Sequence, residues 1–459
     1  MSVQADSFDV IVIGAGPAGE VCAGRLAEGG RTVALVERDL VGGECSYYAC
    51  MPSKALLRPA DALAEARRVE GAAQAVTGTL DVAAVLARRD EIVHDLDDGA
   101  QLPWLEQRSV SLVRGHGELH GERRVLVGGR ELEAREAVVL APGSVAALPP
   151  IPGLAEAEPW TNRAATTAKA VPASLIVLGG GVVGSELACA YASLGAAVSV
   201  VEAAPRLIAA EEEFASELVR EGLEGRGVSV LTGAAAVAVR RQWSTGPVEL
   251  VLADGATLTG AELLVATGRR PLSEGLGLES LGLEGGGFIE VDEATLRVPG
   301  HDWLYVVGDA NGRALLTHMG KYQARLVAER ILGRAPHTGL GETVIPRVIF
   351  TEPQVAAVGL TLAGALERGL RASARSASLE ANAGGSFIGH GAGGRAQIVI
   401  DEDRGVLVGA CFVGVEVAES LHAATVAIAG EVALERLAGA VPCFPTRSEV
   451  WLELLAGLG

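Results

Sequence analysis

The chain is 459 residues long, more than a single hydrophobic core holds, so two to four domains are expected. Its net charge of −19 excludes a nucleic-acid surface built on phosphate neutralisation. Hydrophobic residues make up 49% of it, yet no apolar run reaches the length of a membrane span and no secretory leader precedes the first strand, which predicts a packed, cytoplasmic α/β protein.

In chain order, the first predicted elements lie in Phe8–Glu37, FDVIVIGAGPAGEVCAGRLAEGGRTVALVE. An apolar strand leads into a G-x-G-x-x-G turn formed by Gly14, Gly16 and Gly19, followed by a helix, a second strand and a terminal acid, Glu37. In this pattern the first Gly makes the turn, the second lets backbone approach a pyrophosphate, and the third packs the helix on its strand. The helix N-terminus then stabilises phosphate charge, and the acid is placed to accept from ribose hydroxyls.

The next segment runs Gly42-Gly43-Glu44-Cys45-Ser46-Tyr47-Tyr48-Ala49-Cys50-Met51-Pro52-Ser53-Lys54. Two cysteines just after a dinucleotide motif suggest a dithiol that exchanges electrons with a cofactor; a metal clip or a buried pair of thiols is the alternative. Pro52 and the apolar residues after it predict a helix starting near Cys50, with Lys54 in its first turn. The pattern of the first segment recurs at Ala173–Glu202, ASLIVLGGGVVGSELACAYASLGAAVSVVE, with Gly179, Gly181, Gly184 and Glu202 in register. Two full copies predict two dinucleotide sites. Because the cysteines follow the first copy, that copy suits FAD, which can reduce a disulfide, and the second suits a nicotinamide. Glu202 would repel a 2′-phosphate and favours NADH over NADPH, with Arg206 near enough to soften that preference. Of the other cysteines, Cys22, Cys189 and Cys411 read as core residues. Cys443 reads as a small packed residue or, alternatively, a third redox thiol.

These residues together resemble the pyridine nucleotide-disulfide oxidoreductases, the family of dihydrolipoamide dehydrogenase, glutathione reductase and mercuric reductase. The G-G-x-C-x-x-x-x-C-x-P-S-K signature matches Gly42–Lys54. Hinge strands look like Val139–Ser144 and Val265–Pro271, a second flavin motif like Leu304–Asp309, and P-T-x-S-E matches Pro445–Glu449. The resemblance implies two Rossmann-like domains, for FAD and NAD, plus a C-terminal α+β dimerisation domain: residues 1–147 and 273–340 for FAD, 148–272 for NAD(P), 341–459 for a homodimer interface. It implies that Cys50 faces the flavin and Cys45 meets the acceptor, that Lys54 pairs with Glu186 near the flavin ring, and that Asp309 binds the ribityl chain. It also implies that Thr317 opens a helix aimed at the flavin, where His318 would supply a backbone contact or an acid. Gly43, Gly117, Gly143, Gly268 and Gly308 are further candidate cofactor contacts, and no metal site is implied.

One position departs from the family pattern. Phe444 stands where relatives carry the His that shuttles a proton at the exchange thiol from the other subunit, while its partner Glu449 is kept. Phe cannot transfer a proton. Tyr47, Tyr48, Phe444 and Trp451 are expected to converge on the site and favour an apolar or aromatic acceptor, with packing under the helix as the alternative for the tyrosines. Arg447 would hold an anionic substrate tail or lie solvated at the surface. The expected acceptor is a small molecule whose reduction needs no enzyme proton donor, such as a disulfide with a good leaving group, a quinone or a metal ion. A lipoamide dehydrogenase subunit, a carboxylase like 2-ketopropyl-coenzyme M oxidoreductase/carboxylase, and a flavin-bound sensor are the competing readings.

Overall fold

A computed structural model of the chain describes residues 6–243, 246–335 and 344–457. The chain divides into two units. One comprises Met1–Pro52, Arg89–Ala147 and Arg269–Gly339; the other comprises Ser53–Arg88, Leu148–Gly268 and Leu340–Gly459. The segment 53–88, expected with the first nucleotide domain, thus groups with the second unit.

In the first unit the strand Asp6–Ile13 pairs in parallel with Val33–Glu37 on one side and Arg130–Leu140 on the other. Val110–Arg114 and Leu304–Val306 extend the parallel sheet outward, and Gly117–Leu119 and Arg124–Val127 add an antiparallel flap. Val10, Ile11, Val12 and Ile13 are all buried because both faces of a parallel sheet are covered. One face packs Val10, Val12 and Leu35 against Cys22, Ala23 and Leu26 of the helix Pro17–Glu28; the other packs Ile11 and Ile13 against Val138, Leu140 and Leu304.

The second unit contains a four-stranded parallel sheet with the order Ser229–Thr232, Ala197–Glu202, Ser174–Leu178, Glu262–Val265. It also holds a three-stranded antiparallel sheet from Ala236–Arg241, Val248–Leu252 and Thr257–Gly260. A five-stranded antiparallel sheet runs in the order Arg347–Ile349, Gln354–Gly359, Val406–Gly414, Arg395–Asp401, Ala372–Ser378. Its core joins Ile398, Ile400 and Phe412 to Leu421, Ala424 and Ile428 of the helix Leu421–Ala429. Trp451 is buried in the same core, its ring 5.9 Å from that of Phe412, so it fills the sheet's interior instead of lining an acceptor site. Among the described residues no helix is long and apolar enough to cross a membrane.

Candidate functional site

The two glycine turns obey the same geometry. Gly14 has φ +101°, and a Cβ there would lie 2.2 Å from the Ala141 carbonyl oxygen; at Gly19 a Cβ would lie 1.8 Å from the Gly14 oxygen. Gly179 has φ +109° with the Ala266 oxygen at 2.5 Å, and Gly184 meets the Gly179 oxygen at 1.9 Å. Gly16 and Gly181 differ from these: a Cβ at either meets nothing within 4 Å. Both are helix N-caps in extended conformation without a side-chain cap, so the first-turn N–H groups remain available for an anion. Open space at the middle glycine and uncapped donors beside it are what a bound pyrophosphate needs, so both turns fit a dinucleotide.

The acids that end the second strands are already engaged by backbone. Glu37 accepts from Ala15 N–H at 2.6 Å and from Asp39 N–H at 2.7 Å; Glu202 accepts from Gly180 at 2.6 Å and Ala204 at 2.7 Å. These bonds fix each carboxylate over the glycine turn, with lone pairs left for a sugar hydroxyl. Arg206 donates to Ser216 and the Ala209 carbonyl, both at 2.7 Å, so it is held by protein groups.

The dithiol segment is placed by two left-handed glycines. Gly42, at φ +112°, caps the helix Gly43–Tyr47, which carries Cys45. Gly43, at φ +57°, lies so close to the first nucleotide turn that a Cβ would sit 2.9 Å from Gly16 Cα. Cys50 then begins the helix Cys50–Arg68. Cys45 and Cys50 are neighbouring free thiols, both half-buried, and Cys50 Sγ is 3.5 Å from Thr317 Oγ1. The Cys45 thiol is pushed up, first by its hydrogen bond with Cys50, then by burial and the Cys50 charge; Thr317 and Lys321 act in the opposite direction. Thr317 opens the helix Thr317–Ile331, and a Cβ at Gly320 of that helix would lie 3.3 Å from Gly308 Cα and Ala18 Cβ. Gly308 N–H donates to Gln323 Oε1 at 2.8 Å.

Asp309 accepts from Ser144 Oγ at 2.5 Å, and Ser144 is held by Arg269 through Nε and Nη2, each at 2.7 Å. Arg269 Nη2 also lies 3.6 Å from Glu44, beside Cys45 in sequence. Glu44 and the linking roles of Ser144 and Arg269 were not singled out from the sequence, although two of the three stand in the quoted hinge strands. Gly143 and Gly268, with φ +77° and +134°, face open space. Gly117 is a packing position: its absent Cβ would meet Val36 and Ile13 at 3.0 and 3.3 Å.

In the second unit Lys54 Nζ contacts Glu186 Oε2 at 2.7 Å. Glu186 is 4% exposed, and its other oxygen accepts from Phe350 N–H at 2.9 Å. The Phe350 ring centroid is 4.8 Å from Lys54 Nζ, a cation–π contact that sequence reasoning missed. Phe444 is 78% exposed, and one Glu449 carboxylate oxygen is buried with no hydrogen-bond partner among the described residues.

At four side chains the structure bears on an expectation. Tyr47 is 1% exposed and packs beneath Gly42, where a Cβ would meet its ring at 2.9 Å, so of its two expected roles it takes the packing one. Trp451 is a core residue, as described above. Cys443 is exposed, not packed. Arg447 is partly buried and donates to the Val415 carbonyl through Nη1, so it does not lie solvated at the surface, and its Nε is buried without a hydrogen-bond partner among the described residues. Cys22, Cys189 and Cys411 are buried, and burial pushes the Cys22 thiol up to about 12 and the Cys189 thiol to about 11.

Residues 8–328 match the family described as Pyridine nucleotide-disulphide oxidoreductase, and 345–455 match the dimerisation domain of the same family. The chain belongs to the pyridine nucleotide-disulphide oxidoreductases. It is a flavoprotein oxidoreductase of that family. A dihydrolipoyl dehydrogenase of Zymomonas mobilis is 34% identical over 99% of both chains. Among solved structures, LpdA of Mycobacterium tuberculosis superposes with a TM-score of 0.85 at 25% identity, covering 99% of this chain and 100% of that one. The HOCl-induced flavoprotein disulfide reductase RclA of Escherichia coli, in its Cu(II) complex, shares the fold at TM-score 0.84 and 22% identity, covering 98% and 100%. The pyridine nucleotide-disulphide oxidoreductase fold thus accounts for both glycine turns and for the C-terminal antiparallel sheet.

Proposed function

We propose that this oxidoreductase uses NADH to reduce a small acceptor, a disulfide or a quinone, through Cys45 and Cys50, as a homodimer in which the segment around Phe444 and Glu449 completes the site of a second copy. The observation that carries the reading is the pair of neighbouring free thiols, with Cys50 at Thr317, on a segment that Gly43 presses against the first nucleotide turn. FAD, when bound, supplies the two-electron chemistry that links a hydride donor to a dithiol. The residues that would hold it are Gly14, Gly16, Gly19, Glu37 and Asp309, with Gly179, Gly181, Gly184 and Glu202 for the nicotinamide nucleotide. The Glu202 carboxylate, fixed by two backbone donors, disfavours a 2′-phosphate and supports NADH.

Cys45 is the thiol proposed to meet the acceptor, and Cys50 the one that closes the ring on it. Phe444 brings no proton to that exchange, so acceptors whose reduced form leaves without protonation are favoured. The second reading, dihydrolipoamide oxidation, is supported by the 34% identity to the Zymomonas enzyme. An anaerobic NADH titration of the purified flavoprotein tests the first element: two electron pairs taken up per subunit support a working dithiol, and one pair removes it. Turnover with dihydrolipoamide then separates the two readings.

A further inference from the structure

The loop between Glu37 and the helix Gly43–Tyr47 is pinned to the first glycine turn at one end and to two side chains at the other. Gly42 N–H donates to the Ala15 carbonyl at 2.8 Å, beside the open space at Gly16. Upstream, Asp98 Oδ2 accepts from Val41 N–H at 2.7 Å and from Arg114 Nη2 at 2.6 Å, and Arg114 Nη1 donates to the Asp39 carbonyl at 2.7 Å. Val41 is fully buried, so its N–H needs an acceptor from the protein, and the Asp98 carboxylate, 12% exposed, is that acceptor. The Asp98–Arg114 pair therefore fixes the backbone that runs from Glu37 to the dithiol helix.

Asp98 is delivered by a strained turn. His94, Asp95 and Leu96 follow one another at φ +50°, +52° and +62°, all in the left-handed region. L-residues visit that region singly, with Asn and Asp favoured, and a run of three that includes a leucine is disfavoured at every step. The turn follows the buried Val93 and is closed by Leu96 N–H to the Val93 carbonyl and Asp97 N–H to the His94 carbonyl, both at 2.9 Å. Strain of this kind persists where the surroundings over-determine it, and the bonds of Asp98 to Val41 and Arg114 stand directly after the turn.

We propose that Asp98 is a positioning residue of the flavin site: with Arg114 it holds Asp39 and Val41 against the first glycine turn, and the left-handed turn His94–Leu96 is kept because it places that carboxylate. The inference rests on the reading that the first turn holds FAD. A loop held at Asp39 and Val41 cannot swing away from the turn, which slows the loss of whatever the turn binds. Asp98 reaches backbone and Arg114 alone, so its effect falls on flavin retention and not on the chemistry of the dithiol.

The test is the rate of FAD release from the dilute holoenzyme, read by the recovery of free-flavin fluorescence, with urea unfolding of the same proteins after flavin removal. Asp98→Ala is expected to release FAD about ten- to a hundredfold faster, the equivalent of one charge-assisted hydrogen bond. Asp98→Asn keeps an oxygen for Val41 N–H and loses the ion pair, so its rate should lie between, about three- to tenfold above wild type. It also carries the test should Asp98→Ala not fold. Asp95→Gly removes the Cβ from a left-handed position and should raise the urea midpoint while FAD release stays at the wild-type rate. Gly16→Ala is the control for the reading itself: its φ of −70° and ψ of 178° accept alanine, and the methyl enters the open space at the turn. Wild-type release from the Asp98 variants, with fast release from Gly16→Ala, overturns the role of Asp98. Faster release matched by an equal loss of stability in the flavin-free protein marks Asp98 as a general stabiliser and overturns it as well. Wild-type release from Gly16→Ala overturns instead the placement of FAD at the first turn, and the inference falls with it.

Discussion

The middle and last glycines of the second turn separate ligand binding from folding. Gly181 has φ −76° and ψ −165°, a conformation alanine adopts without strain, and a Cβ there meets no protein atom within 4 Å. Gly181→Ala should therefore leave the fold and the flavin content intact. Its methyl occupies the space in which a pyrophosphate approaches the backbone, so one or two charge-assisted hydrogen bonds are lost, each worth about 1.5–3 kcal/mol. The dissociation constant for the nicotinamide nucleotide should rise about ten- to a hundredfold. Gly184→Ala is different. Its Cβ would lie 1.9 Å from the Gly179 oxygen, so the helix Val182–Ser193 must retreat by about 1.5 Å from the strand Ser174–Leu178, an overpacking cost of about 1–3 kcal/mol or more. That variant should lose denaturant resistance as well as nucleotide affinity. Binding is measured by titrating the oxidised protein with NAD⁺, which occupies the same turn without reducing the flavin, and stability by urea unfolding of the same samples. Wild-type nucleotide affinity in Gly181→Ala, or equal stability loss in both variants, would refute the reasoning.

Further outcomes follow from individual contacts. Glu186→Gln keeps the acceptor for Phe350 N–H but leaves the Lys54 ammonium without its counter-charge; because Lys54 is 35% exposed, the loss should be about 1–2 kcal/mol in urea unfolding, below the range for a fully buried pair. A wild-type midpoint would show that the pair adds nothing. Phe444→His should raise kcat/KM for lipoamide by about tenfold or more, since it adds a titrating side chain at the position proposed to lack one; no gain removes that role for Phe444. Tyr47 buries a hydroxyl with no hydrogen-bond partner among the described residues, so Tyr47→Phe should be neutral or stabilising by up to about 1 kcal/mol, and a clear loss of stability would reveal a partner for that hydroxyl.

What could be read from the sequence depended on whether a residue's task was local. The first and last glycines of each turn were legible because their steric demands come from atoms within one strand–turn–helix unit or the neighbouring strand, and only glycine meets them, whereas the middle glycine answers to the ligand. Both parallel sheets were legible from Val/Ile runs buried on two faces. The aromatic side chains were not, because ring type says nothing of direction: Tyr47 turns under Gly42 and Trp451 turns into the sheet, although both stand within a few residues of quoted motif positions. The partial burial of Arg447 was hidden for a related reason, since its carbonyl partner lies 32 residues away in sequence.

The link from Asp309 through Ser144 and Arg269 to Glu44 shows why such long-range pairings matter to the site. Asp309 follows the short strand Leu304–Val306, Ser144 begins the strand Ser144–Ala146, and Arg269 begins the strand Arg269–Pro271 that pairs with it in antiparallel register. That pairing puts Arg269 opposite Ala146 and Pro271 opposite Ser144, which brings the guanidinium back across Ser144 to Asp309. The same guanidinium lies 3.6 Å from Glu44 and so ties the dithiol helix to the carboxylate proposed to hold the ribityl chain. A planar guanidinium can hold a hydroxyl and a carbonyl on one residue while it faces two carboxylates; an ammonium has neither the reach nor the fork. Arg269→Lys is therefore expected to weaken flavin retention while leaving the sheets folded, and undiminished flavin content after gel filtration would show that Ser144 alone orients Asp309.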